Sequence, residues 1–582
     1  MSHKFLALAG ASCLLLTGCI DDNYDLKDID TTSEVKVNNL TLPINIDKMK
    51  LDDVFSIEDN SNIKIVEVNG ERVYALSQTG TFQSDPIRIN PIHIAAPAIN
   101  PTVTSLTLPY NSNRKAPIAV INIPESATNF TYFTTGVDKA IYGMDAVYTT
   151  GTSLTISATL DNVDLSAVEF KDLKFQLPVN MEVSNVSNGT YDPKSGVWTV
   201  PQCKSANGRE LKLSLDIDKM DLTAENPTLT FDNNNGTMKI DGILGLNSGN
   251  LDLDLGAAHP HDLSIKIEYK LTDINVTGLS GNIQYTVEGI DIAPVSIGDL
   301  PDFLKGEGTN IKVANPQLYL GLNNPVGDQK MSYNSGLRLT SIRDNGMPDQ
   351  TFVPDNNAKI EVSYNNGING PYNFLLAPEQ VAAPAEYSQN LKFVKFSSLS
   401  DLLSVPDADA AKATLPQSIK IEVVNPGLPD QHADNFPLGR DLQPVQGKYE
   451  LLAPLGFKEG SIVVYEDTQD GWSDDTLKDL TITTMTITAT VDNDAPVSVQ
   501  LESYAINTNG DKVGNIESNV LEPNKKDQPL TIISHSEIKD LDGIHIRAIM
   551  KSGNDQKPLS PEQTVTFKNV RVTVSGYYTT DF

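Results

Sequence analysis

Tryptophan is nearly absent from this 582-residue chain, cysteine is rare and histidine is scarce. The two tryptophans, Trp198 and Trp472, leave few large rings to stack on a sugar. Trp198 alternates with Val197 and Val200 and reads as a core residue. Cys13 lies in the N-terminal apolar run and Cys19 just beyond it, so Cys203 alone is left to the body. A single thiol closes no internal disulfide, and stability must come from packed β cores rather than covalent staples. The seven histidines supply catalytic constellations thinly. His259-Pro260-His261 is the one close pair; proline stiffens it and no third ligand is in view, so it reads as a polar turn. The motifs G-x-S-x-G, H-E-x-x-H, the P-loop and G-x-G-x-x-G are missing, and with them the enzyme classes they mark. No catalytic residue is nominated, and the chain is not expected to be an enzyme.

Positive charge is also in deficit: 44 Lys and Arg face 75 Asp and Glu, a formal charge of −31. Such a surface repels phosphate backbones, so nucleic acid is not an expected partner. No metal or other cofactor is called for by motif. No apolar run reaches the roughly 20 residues of a membrane-spanning helix. Hydrophobic residues make up 39% of the chain, below the usual share of about 45–50%. The 38 glycines and 34 prolines supply many turns.

What is present begins at the N-terminus. Met1-Ser2-His3-Lys4 is a short basic start, followed by an apolar run from Phe5 to Leu16 and by small residues before Cys19. This is the layout of a secretory signal. Leu16-Thr17-Gly18-Cys19 resembles a bacterial lipobox. The resemblance implies cleavage between Gly18 and Cys19, diacylglycerol on the Cys19 sulfur and a third, amide-linked chain. Several chains anchor firmly where one alone is marginal. Asp21-Asp22, directly after Ile20, is similar to the export signal of Bacteroidota surface lipoproteins and is equally an acidic, solvated tether. Together these residues imply a lipid-anchored protein of the outer membrane, exposed at the cell surface. Thr31 in Asp30-Thr31-Thr32 and Thr476 in Asp475-Thr476-Leu477 resemble the Bacteroidota acceptor for O-glycosylation.

Beyond the tether the pattern is β. Alternating runs flank Asn69-Gly70, the strongest short hairpin signal, and Leu211 to Ile217 alternates apolar with polar residues. Asn509-Gly510 marks another hairpin, and Asp232-Asn233-Asn234-Asn235-Gly236 reads as an Asn-rich turn because it fails the spacing of a calcium loop. His93, between Ile92 and Ile94, reads as a strand residue on the opposite face. Short helices are expected at 50–55, 298–305, 397–405 and 407–413. Thr155–Asn162 matches Thr486–Asn493 closely, through either a repeated sandwich topology or chance. The fold expected is mainly β: tandem β-sandwich, immunoglobulin-like domains with a few short helices. The segments are a signal at 1–18, a tether at 19–34, an N-terminal β region at 35–149 and a sandwich at 150–256. A central β region with helical inserts follows at 257–475, then a C-terminal sandwich at 476–582.

One loop invites a binding reading. Asp467, Asp470, Asp474 and Asp475 surround Gly471-Trp472. Clustered carboxylates suit a hard cation such as calcium, and Trp472 would offer a ring face to a sugar. The competing reading is an acidic turn between two domains, with Trp472 packed at the junction. The function expected is a non-catalytic, lipid-anchored surface protein for structure, adhesion or ligand capture. The alternative is a glycan-binding or glycan-processing lipoprotein. A fimbrial subunit is a third reading, weakened because no Arg occurs between Cys19 and Arg72 to serve maturation.

Overall fold

The computed structural model describes residues 32–43, 49–50, 62–68, 70–107, 118–161, 167–205, 208–254, 263–297, 304, 306–343, 346–364, 370–471, 480–534 and 536–581. The mainly β expectation holds. Among these residues the strands form four sheets, and the helical pieces are short 3-10 turns. Pairing is antiparallel throughout, apart from Tyr372–Ala377 beside Leu391–Lys395, which run parallel.

The alternation in the sequence becomes the two faces of each strand. In Ser153–Asp161, Leu154, Ile156, Ala158 and Leu160 are buried while the residues between them are half-exposed. The partner Glu210–Asp221 buries Leu211, Leu213, Leu215 and Ile217 in the same way. A residue period of two makes one face apolar and leaves the other wet.

A thirteen-stranded sheet carries these strands at its centre, with Ile274–Thr286, Tyr333–Ile342 and Ser418–Pro437 toward one end. A seven-stranded sheet is built on Ala167–Gln176 and the long Thr237–Asp254. A six-stranded sheet runs from Leu391–Lys395 through Tyr372–Ala377, Gln317–Leu322, Pro444–Pro454 and Glu71–Pro86 to Ile63–Val68. These three share one continuous apolar core, in which Leu76, Ile156, Phe170, Trp198 and Leu451 all belong to the same cluster. The fourth sheet, of nine strands, joins that core through Val463 and Val497 and has two small clusters of its own around Val491 and Ile516.

The sheets cut across the segments read from the sequence. The stretch 35–149 supplies strands to all four. The segment 150–256 supplies strands to both the thirteen- and the seven-stranded sheets. The nine-stranded sheet takes the strands of 480–581, and also takes Ile462–Gln469 at one edge and Thr32–Pro43 at the other. Thr32–Pro43 pairs with Thr564–Asp581 in a register that runs from Thr32 opposite Asp581 to Pro43 opposite Arg571.

The turn signals hold. Gly70 has φ +85° between Ile63–Val68 and Glu71–Pro86, a region glycine enters without strain. Asn507 Oδ1 accepts from the backbone N–H groups of Asn509 and Asp511 and closes the Asn509-Gly510 hairpin. Helical turns occur at Ser397–Asp401 and Asp407–Lys412. Leu304 lies in one, while 298–303 are outside the described residues. The helix expected at 50–55 is corrected at its first residue: Met49–Lys50 is a strand paired with Thr564–Asp581, and 51–55 lie outside the described residues. Both members of the internal match, in Ser153–Asp161 and Leu480–Asn493, are strands paired on both sides.

Candidate binding cleft

The six-stranded sheet ends in a cleft of about 1160 Å³. Its floor follows from a cross-strand pattern. Gly447 lies opposite Phe82, and Tyr449 lies opposite Gly80. A Cβ at Gly447 would collide with the Phe82 ring, and one at Gly80 with the Tyr449 ring. Each ring therefore covers the glycine across from it, an arrangement that packs a bare backbone and fixes register.

Beyond Leu322 the chain turns through Asn323-Asn324-Pro325, and the two amides fasten that turn. Asn323 Nδ2 donates to the Pro444 carbonyl at 3.0 Å, and its Oδ1 accepts from the Gln446 N–H at 2.7 Å. Asn324 Oδ1 accepts from Val326 N–H at 3.1 Å, while its Nδ2 donates to the Met331 carbonyl at 2.9 Å. The rim is thus tied to the neighbouring strand.

The charges around the cleft divide into paired and free. Arg88 holds Asp441 at 3.0 Å. Lys448 Nζ donates to Glu386 at 3.1 Å and sits 4.4 Å from the centre of the Tyr387 ring. Arg440, Asp291 and Asp328 line the cleft without a hydrogen bond or ion pair among the described residues. Tyr364 and Pro371 add apolar surface at the mouth. Under the Lys448 side, burial and then the nearby Glu386 charge push the Glu450 carboxyl above its ordinary range. Burial, helped by Glu386 and Glu450, also raises the Tyr387 phenol.

Most sites read from the sequence fall elsewhere. Gly18, Cys19, Asp21, Asp22, Thr31, His259, His261, Trp472, Asp474, Asp475 and Thr476 lie outside the described residues. Asp467 stands in the strand Ile462–Gln469 opposite Ile546, and Asp470 is exposed just beyond it. Among the described residues no three His, Cys, Asp or Glu side chains gather as a metal site would require. Trp198 is fully buried, as its alternation implied, and its Nε1 donates to the Asn188 carbonyl at 2.8 Å. His93 is exposed, with Nδ1 2.9 Å from Asn275 Oδ1. Asp232 accepts from Asn235 in the turn before Thr237–Asp254, and those hydrogen bonds lower its carboxyl pKa. Sequence reading missed the cleft because its walls come from distant segments.

No family model matches the chain, and no curated protein matches it. A crystal structure of a protein inferred to be secreted, from Parabacteroides distasonis ATCC 8503, aligns with 51% of this chain and 88% of its own. The identity is 17% and the TM-score 0.33, a likeness that assigns neither fold nor function.

Proposed function

We propose that this chain is an exported, non-catalytic binding protein, held at the outer membrane by lipid on Cys19 and displayed at the cell surface. The observation that carries this reading is Leu16-Thr17-Gly18-Cys19 behind a basic start and a short apolar run. The body supports it as a β scaffold with an open polar cleft.

The anchor also gives the body a direction. Thr32 opens the first strand 13 positions after Cys19. A chain of that length spans at most about 45 Å. That strand belongs to the nine-stranded sheet, so this sheet is the base near the membrane.

Protease added to intact cells should degrade the body. Asp21→Ala/Asp22→Ala should leave it protected inside, because the acidic pair is the export signal in this reading. Full protection of the wild type in intact cells would contradict surface display.

A further inference from the structure

We propose that the cleft at the end of the six-stranded sheet binds an uncharged oligosaccharide. The inference deepens the binding role proposed above and rests on it.

The free groups in the cleft are of mixed kind. Arg440 can only donate, the Asp291 and Asp328 carboxylates only accept, and the Gln443 amide does both. Arg440, Asp291 and Asp328 are exposed and unpaired among the described residues. An anionic ligand would meet Arg440 but face two carboxylates. A cationic ligand would meet the carboxylates but face Arg440. An apolar ligand would strip water from all of them with nothing in return. A sugar hydroxyl both donates and accepts, so a row of hydroxyls satisfies every one of these groups.

A peptide is disfavoured by the sheet itself. Gln317–Leu322 and Pro444–Pro454, which reach the cleft, are each paired on both sides. They leave no strand edge for a peptide to extend. The half-buried Tyr364 and the exposed Pro371 offer the apolar surface that the C–H face of a sugar ring packs against. The cleft, at about 1160 Å³, exceeds the roughly 300–1,000 Å³ of a small-molecule pocket. That size suits several rings rather than one.

The test uses the full chain purified in detergent on an array of immobilised neutral glucans, mannans, xylans and galactans, with sulfated and uronic-acid glycans alongside. Binding to at least one neutral glycan is expected, weakened tenfold or more in Arg440→Ala and in Tyr364→Ala. Arg440 is exposed, so its variant keeps the test valid if the Tyr364 variant folds poorly, which a melting curve would reveal. Absence of binding to any neutral glycan overturns the inference. So does binding confined to charged glycans, or binding equal in wild type and Arg440→Ala. Mass spectrometry of the captured glycan separates this inference from the broader reading. Recovery intact supports both, whereas shortening would overturn the non-catalytic role and leave the saccharide cleft standing.

Discussion

Trp198 is fully buried, its ring centre 6.1 Å from that of Phe175, and its one N–H is satisfied by the Asn188 carbonyl. Trp198→Ala removes that volume and the hydrogen bond together. A loss of about 3–5 kcal/mol is expected, read as a lower denaturant midpoint at unchanged slope. Glu450 gives a prediction with a sign in pH. Burial and Glu386 raise its folded pKa, so the folded state holds its proton more tightly than the unfolded chain does. Stability from this group is therefore present below the unfolded carboxyl range and is lost as pH rises through the raised folded value. Glu450→Gln should raise the melting temperature at pH 7, with the gain vanishing below about pH 4. An equal gain at both pH values would contradict the burial account. At this scale the sequence was largely readable. Trp198 and Leu211 to Ile217 declare their faces by alternation, and the glycine of Asn69-Gly70 declares its turn through a local backbone requirement. Glu450 gave no such signal, because its raised pKa depends in part on the charge of Glu386, which comes from the distant turn Ala385–Tyr387.

The strand Thr32–Pro43 is the element whose role the sequence hid. From Val35 it reads as a β run, while Thr32 to Glu34, which read as tether, prove to be strand; nothing local says that its partner is Thr564–Asp581. The hydrogen bond from Asn39 N–H to Ser575 Oγ spans 536 positions, and pairing over such a distance leaves no mark on periodicity. The same reason hid the transfer of Ile462–Gln469 to the nine-stranded sheet. The cleft was hidden for a related reason: its polar residues sit at strand ends and turns, where no regular spacing is imposed. Deleting residues 32–43 should expose the edge of Thr564–Asp581 and lower the melting of the nine-stranded sheet. Val463 and Val497 tie this sheet into the core of the other three, so calorimetry should show the unfolding temperature of the body falling. An unchanged thermogram would mean that the strand adds nothing to the sheet.

On the scale of the whole molecule, three sheets share one core; the fourth joins it through Val463 and Val497, holds two small clusters of its own and takes the chain's first strand. In the proposed reading, a lipid anchor, a base near the membrane and a cleft on another sheet form one arrangement: attachment at one sheet, capture at a different one. Everything in that arrangement depends on Cys19. Cells fed labelled palmitate and expressing the wild type or Cys19→Ala test it most directly. Label is expected in the wild-type protein and not in the variant, and equal label in both would contradict the anchor.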